Sequence, residues 1–112
     1  MTINKEPKTI LITGCSAGGV GAAVAIALAT KGHHVFATAR NLGKIPSELV
    51  DFPTVTTLLL DVTCTKSIVA AATAVANATG GLDVLINNAG LGYTVPLLDT
   101  DFDLAQEVYE TN

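Results

Sequence analysis

The chain has 112 residues, and 49% of them are hydrophobic, 14% charged and 4% aromatic. That composition excludes a disordered polymer and fits one domain with a buried core. Six basic against ten acidic side chains give a net charge of −4 and a pI near 4.8, so no broad cationic face exists to bind nucleic acid.

Four strand-like segments alternate with helix-like ones. Residues 9–13 form a short β-branched run that stops at Gly14. Val20, Val24, Ala27 and Leu28 recur at helical spacing, and Lys31-Gly32 supplies a basic end and a glycine stop. Residues 34–39 make the second strand. Residues 41–52 contain Gly43 and Pro46 and predict a short, imperfect helix. Residues 55–60 form a strand ending at Asp61, and residues 67–79 an alanine-rich helix stopped by Gly80-Gly81. Residues 84–87 are the fourth strand, and Thr100 is placed to cap a last helix over 101–110, with acids in its first turn.

Near-continuous apolar strands with helices between them predict an α/β fold with a parallel sheet covered on both faces. The handedness of crossovers leaves a doubly wound, Rossmann-type sheet in order 3-2-1-4 as the simplest arrangement. Residues 1–112 would form one partial dinucleotide-binding domain.

Several features carry little. Cys15 and Cys64 are far apart and form neither a disulfide framework nor a zinc-ligand set. Cys15 lies near a helix start, where its pKa would fall, although a small packing role is the better reading. No signal peptide or transmembrane run is present, and a cytoplasmic location is expected. The sequon at Asn77 is therefore read as coincidence. His33-His34 reads as a surface pair at a strand entry, because adjacent strand side chains diverge. The acids at Asp99, Asp101, Asp103, Glu107 and Glu110 resemble calcium-loop positions, but Leu104 stands where the loop needs glycine.

The strongest signal is Thr13-Gly14-Cys15-Ser16-Ala17-Gly18-Gly19-Val20-Gly21 between a strand and a helix. Glycines permit a tight turn and close approach of backbone to a pyrophosphate, and the helix offers unpaired N–H groups to it. Ser16 is a phosphate ligand or a helix cap. The plain alternative is an ordinary glycine-rich turn. A P-loop would need Lys and then Ser or Thr after Gly19, whereas Val20 and Gly21 follow, which disfavours NTP hydrolysis.

With that loop stand Ala39-Arg40 at the end of the second strand, Asp61-Val62 after the third, and Asn87-Asn88-Ala89-Gly90 after the fourth. Together these motifs resemble the short-chain dehydrogenase/reductases over essentially the whole chain. The glycine loop has one residue more than the common Thr-Gly-x3-Gly-x-Gly form. In that, and in Phe36-Ala37-Thr38-Ala39-Arg40, it is similar to the fungal acyl-dihydroxyacetone-phosphate reductase-like branch. Members of that branch would associate with endoplasmic reticulum or lipid droplets.

The resemblance implies that Gly14, Ser16, Gly19, Val20 and Gly21 line a diphosphate. Asp61 would bond the adenine amino group with the Val62 backbone beside it. Asn88, Ala89 and Gly90 would run along the ribose, and Asn87 would tie neighbouring strands. Read without the resemblance, Asp61 is a helix N-terminal acid and Asn87 a loop amide. An NAD-selective site places a carboxylate at the end of the second strand. Ala39 and Arg40 stand there, and a guanidinium pairs with a 2′-phosphate, so NADP(H) is expected over NAD(H). A solvated charge is the alternative for Arg40.

In the family a serine and a Tyr-x-x-x-Lys pair perform the chemistry. Neither Tyr93 nor Tyr109 is followed by that lysine, and no lysine occurs after Lys66. Asn112 stands at the distance of the family's active-site asparagine, but as the final residue it reads better as a frayed end. Every base lies at or before Lys66 and six acids follow it. The expectation is the cofactor half of a carbonyl/alcohol oxidoreductase, inactive alone, with uncovered edges that favour oligomerisation or aggregation. A lipid precursor such as an acyl-dihydroxyacetone phosphate is the substrate the branch implies. The rival readings are a non-catalytic NADP(H)-sensing or partner-binding module and a decayed remnant.

Overall fold

A computed structural model describes residues 6–89. The cap at Thr100, the helix over 101–110 with its acids, Gly90, Tyr93, Tyr109 and Asn112 lie outside the described residues. Within them, β1 (Thr9–Ile12), β2 (His34–Ala39), β3 (Val55–Leu59) and β4 (Val84–Ile86) form one parallel sheet in order β3-β2-β1-β4. The register is continuous, with Leu11 opposite Phe36 on one side and Leu85 on the other.

Alternation along the strands sends side chains to two faces. Ile10, Ile12, Val35, Ala37 and Ala39 face α1 (Val20–Thr30) and α2 (Ser47–Val50), meeting Ala25, Ala29 and Leu49. Leu11 and Phe36 face α3 (Thr65–Thr79), meeting Ala71 and Val75. The chain thus coils one way from β1 to β3, then crosses the opposite face to reach β4, which creates a topological switch point between β1 and β4.

Three expectations are corrected. The four α1 residues at helical spacing do not share one face: Val24 and Leu28 pack against the core beside buried Gly21, Ala22, Ala25 and Ala29, while Val20 is 70% exposed and Ala27 is also outside. The helix is apolar all round, so periodicity does not choose its face. Small side chains win because they let the helix lie close to the sheet. The imperfect helix over 41–52 is two pieces, a 3-10 turn at Leu42–Lys44 and the single turn of α2, parted by Pro46. Helix α3 starts two residues before the predicted position, with Cys64 at its N-cap. Its predicted end holds: Gly80 takes φ +77 and donates to the Ala76 carbonyl.

His33 Nδ1 accepts the Lys8 N–H, and His34 stacks on Phe36 with ring centroids 4.7 Å apart. On the α3 side an apolar groove holds Ile68, Leu82 and Leu85, each more than a third exposed. No described helix is long and apolar enough to cross a membrane.

Candidate functional site

In a parallel sheet every strand delivers its carboxyl end to the same edge. Four loops therefore meet there and line a cleft of about 550 Å³. The glycine loop contributes Gly14 and residues 16–20; β2 contributes Ala39, Arg40 and Asn41; Lys44, Leu60, Val62, Asn88 and Ala89 complete it.

The glycine loop is held from several sides. Gly14 takes φ +74, and the next residue, Cys15, is fully buried, donating its N–H to Thr38 O at 2.8 Å and its thiol to Ile12 O at 3.4 Å. Burial pushes the Cys15 thiol above its ordinary pKa, outweighing the backbone bond that pulls it down. Cys15 is thus a packing residue and not an activated thiolate. Ala17 donates to the Lys44 carbonyl at 2.7 Å, and Gly18, at φ +82, has open space where a side chain would stand.

Helix α1 opens with Gly19 as N-cap, no side-chain cap and no acid in its first turn. Ser16 therefore does not cap it; only the Ser16 carbonyl is used, by the Gly19 N–H at 3.2 Å. The first helical bond runs from Ala23 N–H to Gly19 O, so the N–H groups of Val20, Gly21 and Ala22 have no partner within the helix. An uncapped helix end without acids, beside an open cleft, is a donor set that fits the diphosphate of a dinucleotide.

The loop after β4 is joined to this one. Thr13 Oγ1, in a side chain only 4% exposed, accepts the N–H groups of Asn88 and Ala89, both at 2.9 Å. The Asn88 amide returns the tie by donating to Thr13 O at 3.2 Å and Gly14 O at 3.1 Å. Asn87 is exposed on the α3 side and lines the apolar groove. The two asparagines lie directly after β4 and line different sides, Asn88 the cleft and Asn87 the apolar groove. Thr13 was missed by sequence reasoning, since only its place just before the glycines hinted at a role.

Arg40 is exposed and lines the cleft, immediately after buried Ala39. Asp61 Oδ1 accepts the Thr63 hydroxyl at 2.6 Å and the Thr63 N–H at 2.9 Å. Those two bonds, hydroxyl first, hold its carboxyl below the ordinary carboxylate range, with the Arg40 charge adding in the same direction. The Asp61 N–H donates to Ser67 Oγ at 2.8 Å. Its neighbours Leu60 and Val62, rather than Asp61, line the cleft.

A four-stranded parallel sheet with a glycine loop and a switch-point cleft defines an open α/β unit of the dinucleotide-binding kind. The short chain dehydrogenase family profile matches residues 8–112. The chain belongs to that family, and a nicotinamide dinucleotide is the cofactor class its members use. It is 50% identical over 106 residues to a short-chain dehydrogenase of Talaromyces islandicus, covering 94% of this chain and 37% of that protein. It is 38% identical over 106 residues to an NADPH-dependent 1-acyldihydroxyacetone phosphate reductase of Schizosaccharomyces pombe, covering 94% of this chain and 35% of that one. Among solved structures, a short-chain dehydrogenase of Streptomyces avermitilis superposes with a TM-score of 0.84 at 30% identity, over 95% of this chain and 39% of the other. One from Mycobacterium smegmatis gives 0.82 at 31% identity, over 95% and 46%. The chain spans roughly two fifths of the length of the curated relatives it matches, and corresponds to their N-terminal, cofactor-binding part.

Proposed function

We propose that these residues form the NADP(H)-binding part of an oxidoreductase acting on a carbonyl or alcohol carbon. The single observation that carries this reading is the uncapped start of α1 facing a cleft whose β2 wall presents Arg40 where an NAD site needs a carboxylate. Bound NADP(H) supplies the hydride chemistry. The chain's own residues bind and orient: Gly14, Ser16, Gly19 and the amides of Val20 and Gly21 receive the diphosphate, and Arg40 pairs with the 2′-phosphate. Val62 borders the adenine from the cleft wall, Asp61 reaches its amino group from just outside that wall, and Asn88, Ala89 and Gly90 border the ribose.

The name of the S. pombe relative includes NADPH and supports the choice of cofactor. It also makes an acyl-dihydroxyacetone phosphate the first substrate to try on a protein carrying the missing machinery. These 112 residues contain no Tyr-x-x-x-Lys pair, so they supply binding without the proton-transfer groups, and alone they turn over no carbonyl substrate.

Calorimetry on the folded chain tests the assignment. Arg40→Ala should weaken NADPH by about tenfold or more while leaving NADH within about twofold. Equal losses for both cofactors would remove the assignment of Arg40, and no heat with either would remove the dinucleotide site. NADPH-dependent carbonyl reduction by the 112-residue chain would overturn the binding-only reading.

A further inference from the structure

Among the described residues, the buried polar side chains are Thr13, 4% exposed, and Thr38, 0% exposed. A fully buried threonine in a strand is informative. Valine has nearly the same shape and favours extended backbone as well, without a hydroxyl to satisfy. Both hydroxyls serve the carboxyl end of β1. Thr13 Oγ1 holds the loop after β4, and Thr38 Oγ1 reaches across from β2 to donate to Ile12 O at 2.8 Å.

The backbone of Thr38 does a second job. Strands β1 and β2 pair from Thr9 with His34 to Ile12 with Ala37. One further step of that register sets Thr38 opposite Thr13, where a parallel ladder would bring the Gly14 N–H to the Thr38 carbonyl. That carbonyl instead receives the Cys15 N–H at 2.8 Å. The chain therefore takes in one extra residue at Gly14, whose φ of +74 permits the step. Thr38 holds the chain on both sides of that residue, by its hydroxyl on Ile12 and its carbonyl on Cys15. The Cys15 thiol also reaches Ile12 O, at 3.4 Å, but a thiol is a weak donor. Residues 16–20, which follow directly, line the cleft, whereas Cys15 and Thr38 lie behind it.

We propose that Thr38 is a positioning residue of the dinucleotide site: it clamps residues 12–15 from within the core and so sets where the glycine loop presents its backbone to the diphosphate. This rests on the dinucleotide-binding reading and adds to it a side chain that touches no ligand. Valine at this position would leave a methyl group against Ile12 O and free the step at Gly14 to relax. The clamp acts before any group that reads the 2′-phosphate, so it serves both nicotinamide nucleotides equally.

Calorimetry tests this on the full 112-residue chain with NADPH and NADH, at a temperature where circular dichroism shows each variant folded. Thr38→Val should weaken both by about fivefold to tenfold and leave their ratio within about twofold. Thr38→Ser keeps the hydroxyl and should return both to within about twofold of wild type. Thr38→Ala repeats the test should the valine variant fold poorly. A hydroxyl with a purely structural role lowers the melting temperature and leaves the affinity of the folded chain alone. Unchanged affinities in the variant lacking the hydroxyl would therefore overturn the proposal, as would a serine variant as weak as valine. Loss confined to NADPH overturns it too. A wild-type chain that binds neither dinucleotide removes the dinucleotide reading itself, and this inference with it.

Discussion

The Asn88 side-chain nitrogen occupies the space beside Gly21 that any other residue at 21 would need. A Cβ at Gly21 would fall 2.5 Å from Asn88 Nδ2 and 2.5 Å from the Gly14 carbonyl oxygen. The start of α1, the glycine loop and the loop after β4 are thus packed against one another with no spare volume. That packing holds the amides of α1 at the cleft.

Gly21→Ala should destabilise the fold by about 1–3 kcal/mol through overpacking. Asn88→Ala should cost about 1–2 kcal/mol, because it removes two bonds to backbone carbonyls. The double variant should lose less than the sum, since one of the two clashes goes with the amide, although the Gly14 oxygen remains. Urea midpoints for the four proteins measure this, and strict additivity would contradict the proposed contact.

Thr13 tests the other half of the tie. Thr13→Val removes the acceptor of two backbone N–H groups and should cost about 2 kcal/mol. Thr13→Ser keeps the oxygen and should recover most of it. The valine variant should also bind dinucleotide more weakly, as the loop after β4 is released from the glycine loop. A Thr13→Val protein as stable as Thr13→Ser would show that the hydroxyl is dispensable.

Asp61 predicts a pH effect of defined sign. Its folded-state pKa is lowered, first by the Thr63 hydroxyl, then by the Thr63 N–H and the Arg40 charge. A lowered carboxylate pKa stabilises the fold above the unfolded value of about 3.9, and the gain disappears as pH falls through the folded value. Asp61 is solvent-accessible, so the effect is small. Unfolding midpoints from pH 7 down to pH 2 should show a loss below about pH 4 that is reduced in Asp61→Asn. Identical pH profiles for the two proteins would contradict the bonded geometry.

The two thiols should separate cleanly. Cys64 is exposed, whereas Cys15 is buried, hydrogen-bonded and raised in pKa. An aromatic disulfide reagent at pH 8 should consume one thiol quickly and the second only as fast as the fold opens. Cys64→Ser should abolish the fast phase. A fast phase surviving in that variant would place Cys15 at the surface.

Much of the architecture was legible along the chain because its causes are local. The β-branched runs at 9–12 and 55–59 favour extended backbone, and at 34–39 Val35, Phe36 and Thr38 do the same. Gly14 and Gly80 sit where the backbone takes positive φ, so their positions marked the end of β1 and of α3. Pro46, which with Gly43 marked the segment 41–52 as an imperfect helix, parts it into two pieces. The sequence also displayed the glycine loop, Arg40 and the paired asparagines that the fold gathers at one cleft.

Tertiary structure decided the rest, since those outcomes depend on partners distant in sequence. Which face of α1 is buried followed from how closely alanine and glycine can approach the sheet, and a helix apolar on every side does not encode that in its period. Which of Asn87 and Asn88 turns inward followed from the β4 register against β1, across 75 positions between Thr13 and Asn88. Lys44 gained its place beside the glycine loop only because a 3-10 turn brings its carbonyl to Ala17. Spacing reports what the backbone does next; the pairing of loops at the sheet edge exists only after the strands have aligned.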